Sequence, residues 1–327
     1  MSEFFKNKRV FVTGATGLVG SWLTRALVDL GAYTVVLIRD SDPQSELMRS
    51  GLINRVAVVN GSLEDFTSLE RAINEHEIDT VFHLGAQTIV GTAMRNPLPT
   101  FEANIRGTYN LMEACRIHSG LVKRILVASS DKAYGDSEIL PYTEKMPPQG
   151  RHPYDVSKSC TDLICQTYFH TYDLPVVIAR CGNIYGGGDL NWSRIIPGTI
   201  RSVLGGQAPI VRSDGTLTRD YVYVQDAVAA YLKMAEQSER SDVRGEVFNF
   251  GPDQPRTVLQ VIQSLADVMG RSDLQPIVQN RAKAEIRDQY LDASKARRVL
   301  GWEQTYSFED GLRETVDWYK QYLEGTS

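Results

Sequence analysis

The chain has 327 residues, 42% apolar and 23% charged, with a formal net charge of −5, so it can bury a large core and divide into two lobes. Without a basic cluster it speaks against nucleic acid or an anionic membrane as partner. Its cysteines, Cys115, Cys160, Cys165 and Cys181, lack metal-ligand spacing, so reduced packing thiols and no metal site are expected. The start, Met1-Ser2-Glu3-Phe4-Phe5-Lys6, is too short and charged for a signal peptide, and no apolar run is long enough to span a bilayer, which predicts a cytoplasmic protein.

The first strand-like run is Arg9-Val10-Phe11-Val12, followed by Thr13-Gly14-Ala15-Thr16-Gly17-Leu18-Val19-Gly20 and a helical face marked by Trp22, Leu23, Ala26 and Leu27. Glycines at this point allow a tight turn and close approach of the main chain to an anion, and the helix N-terminus supplies free N–H groups. Further apolar runs at 34–38, 55–59, 79–84, 123–128 and 175–179 alternate with helical patterns at 18–30, 67–76, 102–118 and 156–172. Such alternation predicts an α/β chain with a Rossmann-type, doubly wound parallel sheet, whose ligand crevice lies at the carboxyl ends of the strands. After Gly186-Gly187-Gly188-Asp189 the alternation lapses, with Pro197, Gly205-Gly206, Pro209, Gly215, Pro252 and Pro255 punctuating shorter elements. Residues 1–180 are therefore read as a dinucleotide-binding domain. Residues 181–327 are read as mainly a smaller α/β substrate-binding lobe, with some chain crossing back and amphipathic helices at 226–236, 257–269 and 308–323.

Tyr154 and Lys158 stand four apart at the start of a helical stretch, on one face. An ammonium beside a phenol favours the phenolate, which then takes a proton from a substrate alcohol. Such a pair is common on ordinary helix surfaces; its weight comes from following both the glycine turn and a strand that ends Ala128-Ser129-Ser130.

Together these motifs resemble the extended short-chain dehydrogenase/reductase family that works on nucleotide sugars, nearly end to end. The resemblance also runs through His83-Leu84-Gly85-Ala86-Gln87, Asn104-Ile105-Arg106-Gly107-Thr108, Arg180-Cys181-Gly182-Asn183-Ile184-Tyr185-Gly186, Arg219-Asp220-Tyr221 and Leu300-Gly301-Trp302. It implies a hydride-transfer triad in which Ser130 holds the sugar hydroxyl, Tyr154 is the base and Lys158 tunes it and binds the nicotinamide ribose. It further implies a tightly bound, recycled NADP or NAD against Gly14, Thr16, Gly17, Leu18, Val19 and Gly20, with Ser62, Leu63, Leu84, Gly85 and Ala86 lining the adenine and nicotinamide ends.

Ser130-Asp131-Lys132-Ala133 resembles the 4,6-dehydratase branch, and its Asp-Lys pair resembles the CDP-glucose enzymes within it. Removing water across C5 and C6 needs one group to take the C5 proton and another to protonate the departing hydroxyl. The resemblance implies Asp131 as the acid and Lys132 as the group assisting at C5. For the sugar nucleotide it implies Asn183, Arg219 and Arg287 at the pyrophosphate and adjacent sugar, with Tyr290 close in sequence, Thr88 at the sugar pocket, and Asn191-Trp192-Ser193-Arg194 over the base.

Three departures matter. Arg39-Asp40 stands where NAD-binding relatives carry an acid at the second strand's end, so NADP is favoured over NAD; Ser62 and Gly85 replace more usual residues beside the adenine and the nicotinamide. His83 reads as a packed core residue rather than a catalyst. A 4-epimerase of the same family and a non-catalytic dinucleotide sensor remain alternatives, and the base and hexose stay open. A homodimer through helices 102–118 and 154–172 is expected, with Leu111, Leu163 and Ile164 at the seam.

Overall fold

A computed structural model describes residues 3–281 and 286–325. Its centre is a parallel sheet built from β1 (Arg9–Thr13), β2 (Tyr33–Ile38), β3 (Ala57–Asn60), β4 (Thr80–His83), β5 (Arg124–Ala128) and β6 (Val176–Cys181), with α1 (Leu18–Asp29), α2 (Phe66–Glu75), α3 (Gly107–Ile117) and α4 (Pro153–Tyr172) among the crossovers. The smaller lobe contributes β7 (Asn183–Tyr185), α5 (Ile195–Leu204), β8 (Thr218–Arg219), β9 (Tyr221–Tyr223), α6 (Val224–Gln237), β10 (Val247–Phe250), β11 (Arg256–Thr257), α7 (Val258–Met269), β12 (Asp288–Gln289) and α8 (Phe308–Glu324). The sheet order is β10-β6-β5-β4-β1-β2-β3, parallel throughout.

Strands covered on both faces bury successive side chains in two different cores. Val10 and Val12 join Leu23 and Leu27 of α1 and Tyr231 of α6 on one face; Phe11, Ile125 and Ile178 join Leu69 of α2, Leu111 of α3 and Cys165 of α4 on the other. A third core, with Tyr185, Ile200, Tyr223, Leu312 and Tyr319, holds the lobe together. Cys115, Cys165 and Cys181 are buried free thiols, and burial pushes each of them up, away from the thiolate. Among the described residues no helix is long and apolar enough to cross a membrane.

Two elements and one residue of the expected seam differ from the sequence reading. β10, where the chain of the lobe half crosses back, extends the main sheet beside β6; its four residues, three of them apolar, are too few for periodicity to identify a strand. The helix expected from 102 begins instead as a short helix, Pro97–Phe101, and a π turn, Glu102–Arg106, before α3, where Asn104 leaves the regular ladder to serve a neighbouring loop. Leu111 is wholly buried in the chain's own core while Leu163 is half exposed, so of the residues expected at a dimer seam Leu111 is occupied by helix-against-sheet packing.

Candidate active site

The glycine turn is as tight as its sequence requires. Gly14 has φ +76, and a Cβ there would sit 2.6 Å from the Gly85 nitrogen, while one on Gly20 would overlap the Gly14 carbonyl. Gly17 caps α1 without a side-chain hydrogen bond and no acid occupies the first turn, so the first N–H groups of a twelve-residue helix face an anion site with no competing carboxylate. The turn is braced from β4: Gly85 N–H donates to Thr13 Oγ1 (3.0 Å), which also bonds His83 Nδ1 (2.9 Å). His83 Nε2 meets Thr108 Oγ1 at 3.2 Å. Burial, helped by the Lys158 charge, pushes this imidazole down to about 3, so His83 is a neutral core tie between β4, the glycine turn and α3, as the sequence reading has it.

The other expected cofactor residues fall along one rim. Thr16, Leu18, Val19, Ser62, Leu84, Gly85 and Ala86 are half-buried. Leu63 is buried where a Cβ on Gly85 would come within 3.0 Å of its Cδ1, and Asn110 Nδ2 donates to the carbonyls of Leu63 and Glu64 (both 3.1 Å). This rim fits an extended dinucleotide: an uncapped helix end for the pyrophosphate and a small-residue turn at Gly85 for a flat ring. Beyond the end of β2, Arg39 and Asp40 are exposed and paired with each other at 2.6 Å. That contact gives Arg39 a carboxylate partner already.

The triad residues converge at the carboxyl end of β5. Pro153 occupies the first turn of α4 and Asp173, in the left-handed conformation, ends it, so the helix is bounded as its sequence dictates. Tyr154 and Lys158 are both buried on its inner face. Lys158 Nζ donates to the Ala128 carbonyl (2.7 Å); burial lowers it to about 8, opposed by the Asp162 carboxylate. Ser130 Oγ donates to Asp131 Oδ1 (2.9 Å) and accepts from the Lys132 N–H (3.2 Å), capping the short turn Asp131–Tyr134. Ser159 Oγ bonds the Ala133 carbonyl (2.9 Å), tying that turn to α4.

Burial dominates the electrostatics of the phenol and of its acidic neighbour. Burial pushes the Tyr154 phenol up to about 12; the Arg194 charge and a hydrogen bond with Ser130 oppose it, and Asp131 adds to it. Lys158 Nζ is held by the Ala128 carbonyl, with the Asp162 carboxylate acting on its charge. Asp131 is itself buried, with Oδ2 lacking a partner among the described residues. Burial raises its pKa, against the charge of Lys132 and the Ser130 hydrogen bond, which favours a protonated carboxyl.

The residues expected at the sugar nucleotide are less gathered. Arg219 is buried, but its guanidinium donates to the carbonyls of Thr218 (2.8 Å), Arg287 (3.0 Å) and Ile286 (2.6 Å), so it staples β8 to the approach of β12. Arg287 is 83% exposed, 3.8 Å from Asp288. Arg194 bonds Asp189 Oδ2 (3.1 Å) and lies near enough to act on Tyr154. Asn183 is half-buried on β7, its N–H on the Asp220 carbonyl (3.0 Å). Tyr290 lines a cavity with Pro141, Asp253 and Pro255, and Thr88 is exposed beyond the β4 turn. Trp192 packs against Tyr319 (5.5 Å) and under Arg201 (4.8 Å).

Sequence reasoning missed the floor beneath the triad. Asp162, one turn past Lys158, forms a wholly buried pair with Arg180, whose Nε lies 2.5 Å from Oδ2; Arg180 lies over the Tyr134 ring at 4.4 Å, and Tyr134 donates to Asn249 Oδ1 (2.7 Å). Asn104 donates to the Gln87 carbonyl (3.0 Å) and to Ser157 Oγ (2.9 Å). Spacing of four from Lys158 was the available signal for Asp162; nothing in the sequence pairs it with Arg180.

A family model described as GDP-mannose 4,6 dehydratase matches residues 11–315. CDP-glucose 4,6-dehydratase of Salmonella typhimurium is 29% identical, the alignment covering 99% of this chain and 93% of that one. Among solved structures, dTDP-glucose 4,6-dehydratase of Streptomyces venezuelae, with NAD bound, has a TM-score of 0.85 at 28% identity, covering 96% and 97% of the two chains. UDP-glucose 4-epimerase of Thermotoga maritima, with UDP-glucose, has a TM-score of 0.88 at 30% identity, covering 96% and 99%.

Proposed function

The chain belongs to the GDP-mannose 4,6 dehydratase family, and we propose that it converts a nucleoside-diphosphate hexose into its 4-keto-6-deoxy derivative by loss of water. The observation that carries this reading is Asp131, a buried carboxyl held by burial toward its protonated form, one residue from the triad serine and one from a lysine. An epimerase has no hydroxyl to expel and no use for such an acid.

The rim from Gly14 to Ala86 would hold a nicotinamide dinucleotide, which when bound accepts hydride from C4 and returns it to C6. Tyr154 takes the C4 hydroxyl proton, with Ser130 holding that oxygen, and Lys158 fixes the helix face against β5 and reaches the nicotinamide ribose. Once C4 is a ketone the C5 proton is acidic; Lys132 removes it, directly or through water, while Asp131 protonates the C6 hydroxyl as it leaves, and the Lys132 ammonium gives a proton back to C5 when hydride reaches C6. Asn183, Arg194, Arg287 and Tyr290 form the sugar-nucleotide side. Arg219 supports them by fixing β8 and β12. The division near residue 180 separates these two tasks.

NAD is bound in the solved dehydratase from S. venezuelae; Arg39, at the end of β2, suits a 2′-phosphate once it releases Asp40, so NADP is the second cofactor to assay. A 4-epimerase is the second functional reading, favoured by the likeness to the T. maritima structure. A cytoplasmic homodimer completes the proposal, seated on exposed Leu163, Tyr172 and Ile117 of α4 and α3.

Incubation with CDP-, dTDP-, UDP- and GDP-hexoses, followed by mass spectrometry, tests the reaction. Loss of one water from one of them supports it. A product of unchanged mass with inverted C4 rejects dehydration.

A further inference from the structure

Gln289, on β12, is wholly buried and accepts a hydrogen bond from Lys132 Nζ through its Oε1. An ammonium can only donate, so in the charged state of Lys132 the amide presents Oε1 to it, the orientation the structure has. The NH2 end is then left buried, with Nε2 lacking a partner among the described residues. A buried donor without an acceptor is destabilising, and here it lies beside the proton-transfer pair. The strand carrying it is held firmly, because Gln289 is in register with Arg219 of β8 and the Arg219 guanidinium clamps the carbonyls of Ile286 and Arg287 just before it.

We propose that Gln289 is a positioning residue of this site: its carbonyl aims the Lys132 amine at the sugar, and its amide N–H donates to a substrate oxygen along the C5–C6 edge. This rests on the dehydratase reading for the identity of the edge, but not for the contact with Lys132. The neutral partner matters. Among the described residues, Asp131 on the same turn and Asp155 at the start of α4 feel the Lys132 charge, and Arg219 on β8 acts on Asp131. A carboxylate in place of the amide would add a further acid in direct contact and hold Lys132 as an ammonium unable to take a proton. An amide aims the nitrogen without doing so.

A double-variant cycle with the full chain and cofactor tests the proposal. Gln289→Leu, which keeps the volume, is expected to slow water loss about tenfold, the worth of one buried hydrogen bond, while C4 oxidation, read as nicotinamide absorbance in a single turnover, stays near wild type. In the Lys132→Met background the same change should alter the rate of water loss less than about twofold, yet still raise KM, since the amide N–H acts on the substrate itself. Equal multiplicative losses of rate in both backgrounds overturn the positioning role; an unchanged KM overturns the contact with substrate. Independently of the reaction catalysed, trace acetylation of Lys132 followed by peptide mass analysis should show its reactivity midpoint moving to higher pH in Gln289→Glu. An unmoved midpoint overturns the contact. A wild-type chain that releases no water from any hexose rejects the dehydratase reading, and the acetylation result then decides the contact alone.

Discussion

The catalytic floor and the sugar-nucleotide lobe are held in different ways. Beneath Tyr154 and Lys158, buried groups are cross-linked in a continuous set: Lys158 to Ala128, Asp162 to Arg180, Arg180 over Tyr134, Tyr134 to Asn249. Across the crevice, Arg287 is exposed and weakly paired, and β8, β11 and β12 are two residues each. Groups that move protons must be fixed to a fraction of an ångström, and a buried, hydrogen-bonded network does that. Groups that choose a base or sugar need only reach it, and a loosely held rim changes without disturbing the chemistry.

The sharpest contrast is between a floor residue and a rim residue. Tyr154→Phe should lower turnover about 10²–10⁴-fold with its melting temperature unchanged, whereas Arg287→Ala should chiefly raise KM by about tenfold or less; steady-state kinetics on the accepted hexose decides. Equal losses of kcat in both would erase the distinction. Asp131→Asn should spare C4 oxidation and stall elimination by about 10²-fold or more, so reduced nicotinamide accumulates; full turnover would remove Asp131 from the reaction.

Stability should divide the same way. Asp162→Ala leaves Arg180 buried and charged, since a guanidinium does not shed its proton, and should cost about 3–5 kcal/mol. Arg256→Ala in the lobe breaks a more exposed 3.5 Å pair with Glu309 and should cost less than about 1 kcal/mol. Denaturant titration of both variants compares them directly.

Asp220 sits where the two regions meet. It is wholly buried, a Cβ on either Gly182 or Gly251 would press on it, and its Oδ2 accepts the Leu291 N–H at 2.7 Å. Burial pushes it up from 3.8 to about 7, with Asp131 adding to the shift. Its folded form therefore binds the proton more tightly than its unfolded form, so its favourable contribution is present below about pH 4 and is lost as pH rises through 7. Asn in its place keeps the acceptor. Asp220→Asn should stabilise the chain at pH 8 by roughly 4 kcal/mol at most and flatten the pH dependence of its melting between 4 and 7. A selective effect belongs to the outer rim: Arg39→Ala should weaken NADP about tenfold and NAD less than twofold, by fluorescence titration, and equal effects would deny it a 2′-phosphate.

Much of this was written locally. The glycine turn, the bounds of α4 and the four-residue step from Tyr154 to Lys158 depend on torsions and helical period, which neighbouring residues fix by themselves. Ser130, Asp131 and Lys132 are contiguous, so a motif carries them whole. The tertiary structure alone decided what each charge meets. It set Gln289 against Lys132 across 157 positions of chain, turned Arg219 onto backbone carbonyls, joined Asp162 to Arg180, and buried the Tyr154 phenol. Partnership and desolvation depend on which distant segments pack together, and no local pattern encodes that.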